Sequence, residues 1–134
     1  MSTVLPSFDL EQTPDALVRA IREGLAYPYF EALQADLEVT KQQLADVMGI
    51  NKRTLQNRKQ AGRFTPQESD HLLRIARVFA QAHFYFGTPE QARAWLKKPG
   101  YAFKEESPLS LLDTEVGAEQ VLTLLKQLEY GVLP

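Results

Sequence analysis

Cysteine is missing from all 134 residues. Its absence excludes a disulfide framework, a zinc–cysteine site and a thiol nucleophile. Histidine is scarce. His71 and His83 stand twelve residues apart in one helical stretch, with no second pair at ligand spacing, so no metal site is expected. A Ser–His–Asp set, a glycine-rich phosphate loop and an isolated carboxylate pair are all lacking. Asp70 and His71 are sequence neighbours, which face different ways on a helix. These gaps leave no basis for an enzyme, and no cofactor is expected. No apolar run approaches a membrane span and no basic-then-apolar leader opens the chain, which predicts a cytoplasmic protein without membrane contact. Strand-like alternation never reaches useful length, and no internal repeat or low-complexity stretch is present. What remains is an all-α chain.

The length suits one domain, or one domain with a small appendage. Hydrophobic residues at 44% suffice for a core, and charged residues at 24% are ordinary. The net charge of −2 hides an asymmetry. Residues 1–40 carry net −5 and residues 100–134 net −4, whereas residues 41–63 carry net +5 and residues 64–99 net +2. The bases of the most positive stretch are Lys41, Lys52, Arg53, Arg58, Lys59 and Arg63, against Asp46 alone. A basic centre between acidic ends fits a protein that meets phosphates in one place and something else in another.

That centre, TKQQLADVMGINKRTLQNRKQAG at 40–62, reads as a helix-turn-helix. Thr40 and Gln43 form the Thr-x-x-Gln capping pattern. Leu44, Ala45 and Met48 then share a helical face. Gly49 can adopt the left-handed backbone of a sharp turn. Ile50 plugs the corner, and Asn51 caps a second helix, Lys52 to Gln60. Leu55 is its only large apolar residue; the rest is basic and amide-rich, as a major-groove helix requires. A short charged helix is more often a plain solvated surface. Two features argue against that here: Ile50 to Arg63 contains no acid, and the turn residues have the right spacing.

Helices are predicted on both sides. Residues 1–12 read as a loose tail. Thr13-Pro14 starts a helix with Leu17, Ala20, Ile21 and Leu25 as its stripe, ended by Gly24 and Pro28. Tyr29 to Glu38 follows, with Phe30, Leu33 and Leu37 on one side. Thr65-Pro66-Gln67-Glu68 opens a long helix to about Phe86, with Leu72, Ile75, Ala76, Phe79, Ala82 and His83 or Phe86 inward. Thr88-Pro89 starts another, carrying Ala92, Trp95 and Leu96. A loop at 99–107 precedes the turn LSLL. Thr114 caps a last helix to about Tyr130, with Val116, Val121, Leu124, Leu125 and Leu128 inward.

Three segments carry a resemblance: LADVMGINKRTLQNRKQAGRFTPQESDHLLRIA, then FGTPEQARAWL, then SPLSLLDTEVGAEQVLTLLKQLEYGV. The first is common among repressors. The second and third, in that order, are far more specific. Over about residues 29–134 the chain resembles the Xre-type antitoxins of bacterial Xre–RES toxin–antitoxin pairs, the group that includes MbcA and ParS. The resemblance implies a helix-turn-helix DNA-binding bundle with a C-terminal helical toxin-binding domain. It also implies a RES-domain toxin that degrades NAD, a homodimer, and repression of the protein's own operon. Many members have a glycine pair in the loop before the Ser-Pro-Leu turn; this chain has YAFKEES there.

The expected organisation is an N-terminal tail and short helix at 1–28, a DNA-binding domain at 29–87 and a toxin-binding domain at 88–134. Double-stranded operator DNA and the toxin are the expected partners. Arg53, Gln56 and Asn57 are the candidates for base edges, since Arg reads guanine bidentately and Gln or Asn reads adenine. Lys52, Lys59 and Arg63, with the helix start Thr40 to Gln43, are candidates for phosphates, and Thr54 lies among them. Arg58 either joins this surface or lies along the core edge. The resemblance implies that the toxin is met from Trp95 onward: Trp95, Tyr101, Phe103, Glu129, Tyr130, Gly131, Val132, Leu133 and Pro134. On residues alone, that apolar end reads as a frayed terminus. The alternative function is a helix-turn-helix regulator whose C-terminal domain senses a ligand or only dimerises.

Overall fold

The computed structural model describes residues 13–100, 104–129 and 131. Among these residues, seven α-helices and one 3₁₀ turn follow in order. They are α1 (Pro14–Glu23), α2 (Tyr27–Leu37), α3 (Lys41–Met48), α4 (Lys52–Ala61), α5 (Pro66–Phe86), α6 (Pro89–Lys97), the 3₁₀ turn Leu109–Asp113 and α7 (Glu115–Glu129). Among the described residues the one β pairing is an isolated antiparallel bridge between Ala26 and Arg63.

Local chemistry starts these helices where expected. The Thr13, Asn51 and Thr88 side chains each accept a backbone N–H from three residues on. Thr40 and Gln43 satisfy each other reciprocally, at 3.0 and 2.8 Å. Thr65 and Glu68 do the same. Each such cap contributes about 0.5–2 kcal/mol by pairing donors that the first helical turn leaves open. Gly49, at φ 75°, ends α3. The Gly49 and Ile50 amides return to the Asp46 and Ala45 carbonyls, and the chain reverses into α4.

The centre of the molecule is α5. Leu72, Leu73, Ile75, Ala76, Val78, Phe79 and Ala82 are buried on most of its circumference. A helix with so wide an apolar face needs several neighbours to cover it, and α1, α2, α3, α6 and α7 all pack on it. Leu17 and Leu25 from the N-terminal segment join this core, and the Ser69 hydroxyl, fully buried, accepts the Leu25 amide at 2.8 Å. A second layer forms where α7 and the 3₁₀ turn meet α3, α5 and α6, through Leu109, Leu112, Ala118, Val121 and Leu125.

Some expectations are corrected. Pro28 does not end a helix; it sits in the first turn of α2, where its missing N–H is no loss. Val116 is not inward but 71% exposed. The inward face of α7 runs through Gly117, Ala118, Val121, Leu124 and Leu125 instead, with Leu128 half-buried. The cause is Gly117. Its N–H donates to Thr114 Oγ1 at 2.9 Å, and the Leu111 carbonyl oxygen lies where a Cβ would stand. That close approach fixes the rotation of α7 and turns Val116 out. Gly117→Ala is therefore expected to destabilise the fold by about 1–3 kcal/mol despite alanine's better helix propensity. A fall in the urea midpoint at unchanged m-value checks it; an unchanged or higher midpoint contradicts the packing reading. The tail at 1–12 lies outside the described residues.

Candidate nucleic-acid interface and partner-binding end

Helix α4 is held by little and exposes much. Leu55 is buried and Thr54 half-buried. Lys52, Arg53, Gln56, Asn57, Lys59 and Gln60 are exposed. Arg53, Gln56, Asn57 and Gln60 follow the i, i+3, i+4, i+7 spacing of a single helical face. Lys52, Arg53 and Lys59 form no ion pair with any described residue, so their charge is directed to solvent. Thr40 and Gln43 are exposed at the start of α3. A helix of this kind can enter a major groove while its flanks meet phosphates.

Two of the basic residues are committed elsewhere. Arg63 donates through Nη1 to the Glu23 and Gly24 carbonyls at 2.9 and 3.1 Å, clamping the end of α1 to the strap that follows α4. Arg58 resolves toward the core edge. It is half-buried, with Nε 2.7 Å from Glu68 Oε1 and Nη2 3.0 Å from Glu68 Oε2. Burial alone would raise the Glu68 carboxyl pKa, but hydrogen bonds from Arg58 and Thr65 overcome it and hold the group below its ordinary value. The same pairing raises the Arg58 pKa. Sequence reasoning recognised Glu68 only as a cap. The available signal was that Glu68 is the first acid after the acid-free run beyond Asp46.

At the other end of the chain, Trp95 is half-buried against Phe86, ring centres 5.7 Å apart. Glu129 closes α7 and is exposed, as is Gly131. Tyr101, Phe103, Tyr130, Val132, Leu133 and Pro134 lie outside the described residues. In the loop where the resembling family carries glycines, Lys104 and Glu105 take left-handed conformations, at φ 54° and 75°. Phe84, on α5, is 70% exposed and was not anticipated.

The two ends are joined by contacts that the sequence did not reveal. Arg93 of α6 donates to the Asp36 carbonyl at 3.0 Å and pairs with the Glu38 carboxylate at 3.4 Å. Lys97 Nζ donates to the Glu38 carbonyl at 2.9 Å. Glu38 is the left-handed cap of α2, two residues before the cap of α3. So α6 holds the turn from which the helix-turn-helix departs. An open groove of about 440 Å³ follows this seam, lined in part by Gln43, Asp46, Lys97, Leu109 and Ser110.

His71 ties α5 to the 3₁₀ turn. Its Nε2–H donates to the Leu112 carbonyl at 2.8 Å. Burial lowers its pKa below the ordinary 6.5, and Arg74 adds to that, while the Leu112 bond, Asp113 and Asp70 oppose it. The folded state thus holds the ring neutral at a pH where the unfolded chain would protonate it. The unfolded state then binds more protons, so stability is present above about pH 6.5 and falls as pH drops through that value toward the lower folded pKa. Urea midpoints between pH 7.5 and 5.5 are expected to decline, and His71→Gln, which keeps a donor, is expected to flatten that slope.

This is the architecture of a helix-turn-helix DNA-binding protein with a second, wholly helical unit built onto it. Residues 16–77 match the Antitoxin Xre-like helix-turn-helix domain, and residues 81–131 match the Antitoxin Xre/MbcA/ParS C-terminal toxin-binding domain. The chain belongs to the Xre family of antitoxins, which are not enzymes. It is 35% identical over 118 residues to an Antitoxin Xre of Yersinia enterocolitica, covering 87% of this chain and 80% of that protein. It is 31% identical over 115 residues to an Antitoxin Xre of Photorhabdus laumondii, covering 84% and 78%. A third Antitoxin Xre, of Pseudomonas putida, is 38% identical over 83 residues, covering 61% and 52%. The junction between the two matched domains falls inside α5, so one helix serves both. Among the described residues no helix is long and apolar enough to cross a membrane.

Proposed function

We propose that this antitoxin neutralises a RES-type, NAD-degrading toxin in the cytoplasm and, as a homodimer, represses its own operon by binding duplex operator DNA. The observation that carries the reading is the presence, in one chain, of an unpaired cationic face on α4 and a toxin-binding domain that shares the central helix α5 with the helix-turn-helix domain. Arg53, Gln56 and Asn57 read bases. Lys52, Lys59 and the α3 start hold phosphates, with Thr54 and Arg63 at the margin. DNA reading belongs to residues 29–87 together with the α1 support, and toxin contact to residues 88–134. Toxin contact centres on Trp95, Tyr101, Phe103 and the end Glu129 to Pro134. The RES identity of the toxin and the repression rest on the resemblance in the three motifs quoted above.

Co-expression with a RES-domain protein encoded beside the antitoxin tests this, scored by growth and cellular NAD. The full chain is expected to restore both. Failure to protect cells from that toxin overturns the reading. A chain ending at Glu129 is expected to lose most of the protection while still binding DNA. Complete protection by the shortened chain would remove the last residues from the mechanism.

A further inference from the structure

Helix α4 is short, and Leu55 is the one buried side chain that it contributes. A helix seated on one apolar anchor is free to roll and pivot about it, and rolling would sweep Arg53, Gln56 and Asn57 off their targets. The fork between Arg58 and Glu68 supplies a second fixed point. Arg58 lies three residues after Leu55, on the same side of the helix and one turn further on. Both of its forked nitrogens are engaged, at 2.7 and 3.0 Å. Glu68 is itself immobilised, because Oε1 also accepts the Thr65 amide at 3.0 Å and the Glu68 amide returns to Thr65 Oγ1 at 3.2 Å. The last turn of α4 is thus bolted to the capped first turn of α5, the most deeply packed helix of the molecule.

We propose that Arg58 and Glu68 are positioning residues for DNA reading: they touch no nucleic acid but fix the roll and tilt of α4, and so set sequence discrimination. This rests on the DNA-reading proposal above. It separates Arg58 from its basic neighbours. A guanidinium already paired with a carboxylate neutralises no phosphate and so displaces no counterion from the DNA, and it adds little to the salt dependence of binding. Lysine at this position keeps the charge but loses the planar fork.

The test compares duplex covering the protein's own promoter with random duplex, across a salt series, using the full chain. Arg58→Lys and Arg58→Ala are expected to weaken promoter binding by about tenfold, the scale of one displaced base contact. Random-duplex affinity and the salt slope should hardly change. Glu68→Gln, which keeps an acceptor for the Thr65 amide, should do the same. The double change Arg58→Ala with Glu68→Gln should lose no more discrimination than either alone, because both break one bolt. Circular dichroism at the assay temperature confirms that the variants are folded, and Glu68→Gln carries the test if Arg58→Ala is not. The proposal is overturned if promoter and random duplex weaken in proportion with a shallower slope, which marks a phosphate contact. Additive losses, or unchanged discrimination in folded variants, overturn it equally. An unsubstituted chain that shows no promoter preference overturns it together with the DNA-reading proposal; a promoter preference that the unsubstituted chain has and the Arg58 and Glu68 variants keep sinks the bolt alone.

Discussion

Replacing Arg53 and Gln56 together by alanine is expected to cost roughly a hundredfold or more in operator affinity. Each bidentate base contact is worth about 1–3 kcal/mol of discrimination, and the two side chains occupy one exposed face without competing ion pairs. The loss should fall on the cognate site, leaving random duplex much less affected. Lys52→Ala and Lys59→Ala should behave differently. Each is expected to weaken all duplexes alike and to reduce the salt slope by about one phosphate contact. None of these four residues is buried, so melting temperatures should move little. Electrophoretic mobility or anisotropy titrations across a salt series separate the two patterns. Retained operator preference in the double variant would mean that α4 does not face the bases.

Phe30→Ala is expected to be the most damaging single change for stability. Phe30 is fully buried in α2, stacks with Tyr27 at 5.6 Å and meets the tilted ring of Phe64 at 5.8 Å between ring centres, while Tyr27 and Phe64 stack at 5.6 Å. Truncating it removes one corner of this aromatic triangle and leaves a cavity, at about 3–5 kcal/mol. Domains of this size have only about 5–15 kcal/mol in total, so a large share of the population would unfold under mild denaturant. The damage reaches the DNA-binding surface, because Phe64 lies in the strap that leaves α4, where the Phe64 and Tyr27 amides donate to the Leu25 and Gly62 carbonyls. Phe30→Leu keeps most of the volume and should recover most of the loss. Urea unfolding of the three proteins decides it; an alanine variant within 1 kcal/mol of the parent, against the ~3–5 kcal/mol expected, would show that the cluster is not load-sharing.

The toxin-binding end is coupled to the DNA-binding motif by polar contacts as well as by the shared apolar core. Arg93 and Lys97 hold the backbone of Asp36 and Glu38, directly before α3, and the 3₁₀ turn packs on α3 itself. Glu38 pays for a left-handed backbone, at φ 55°, that glycine would adopt freely, and the two cations stabilise it there.

The sequence by itself determined the helices, most of their starts and the cationic face. Caps act between residues three apart, as at Thr13, Thr40, Asn51, Thr65 and Thr88, so the information is local and readable. The face of α4 is equally local, since helical spacing alone groups Arg53, Gln56 and Asn57. Only the tertiary structure decided the partners of groups whose bonds span the chain. Arg63 reaches carbonyls about forty residues away, His71 a carbonyl forty-one residues away, and Arg93 one fifty-seven residues away. The outward turn of Val116 is likewise a packing result, though a short-range one, in the Leu111 carbonyl pressed against Gly117 six residues on. Periodicity says which face of a helix is apolar; it does not say which neighbour's backbone arrives there, because that depends on how the packed helices are arranged around α5.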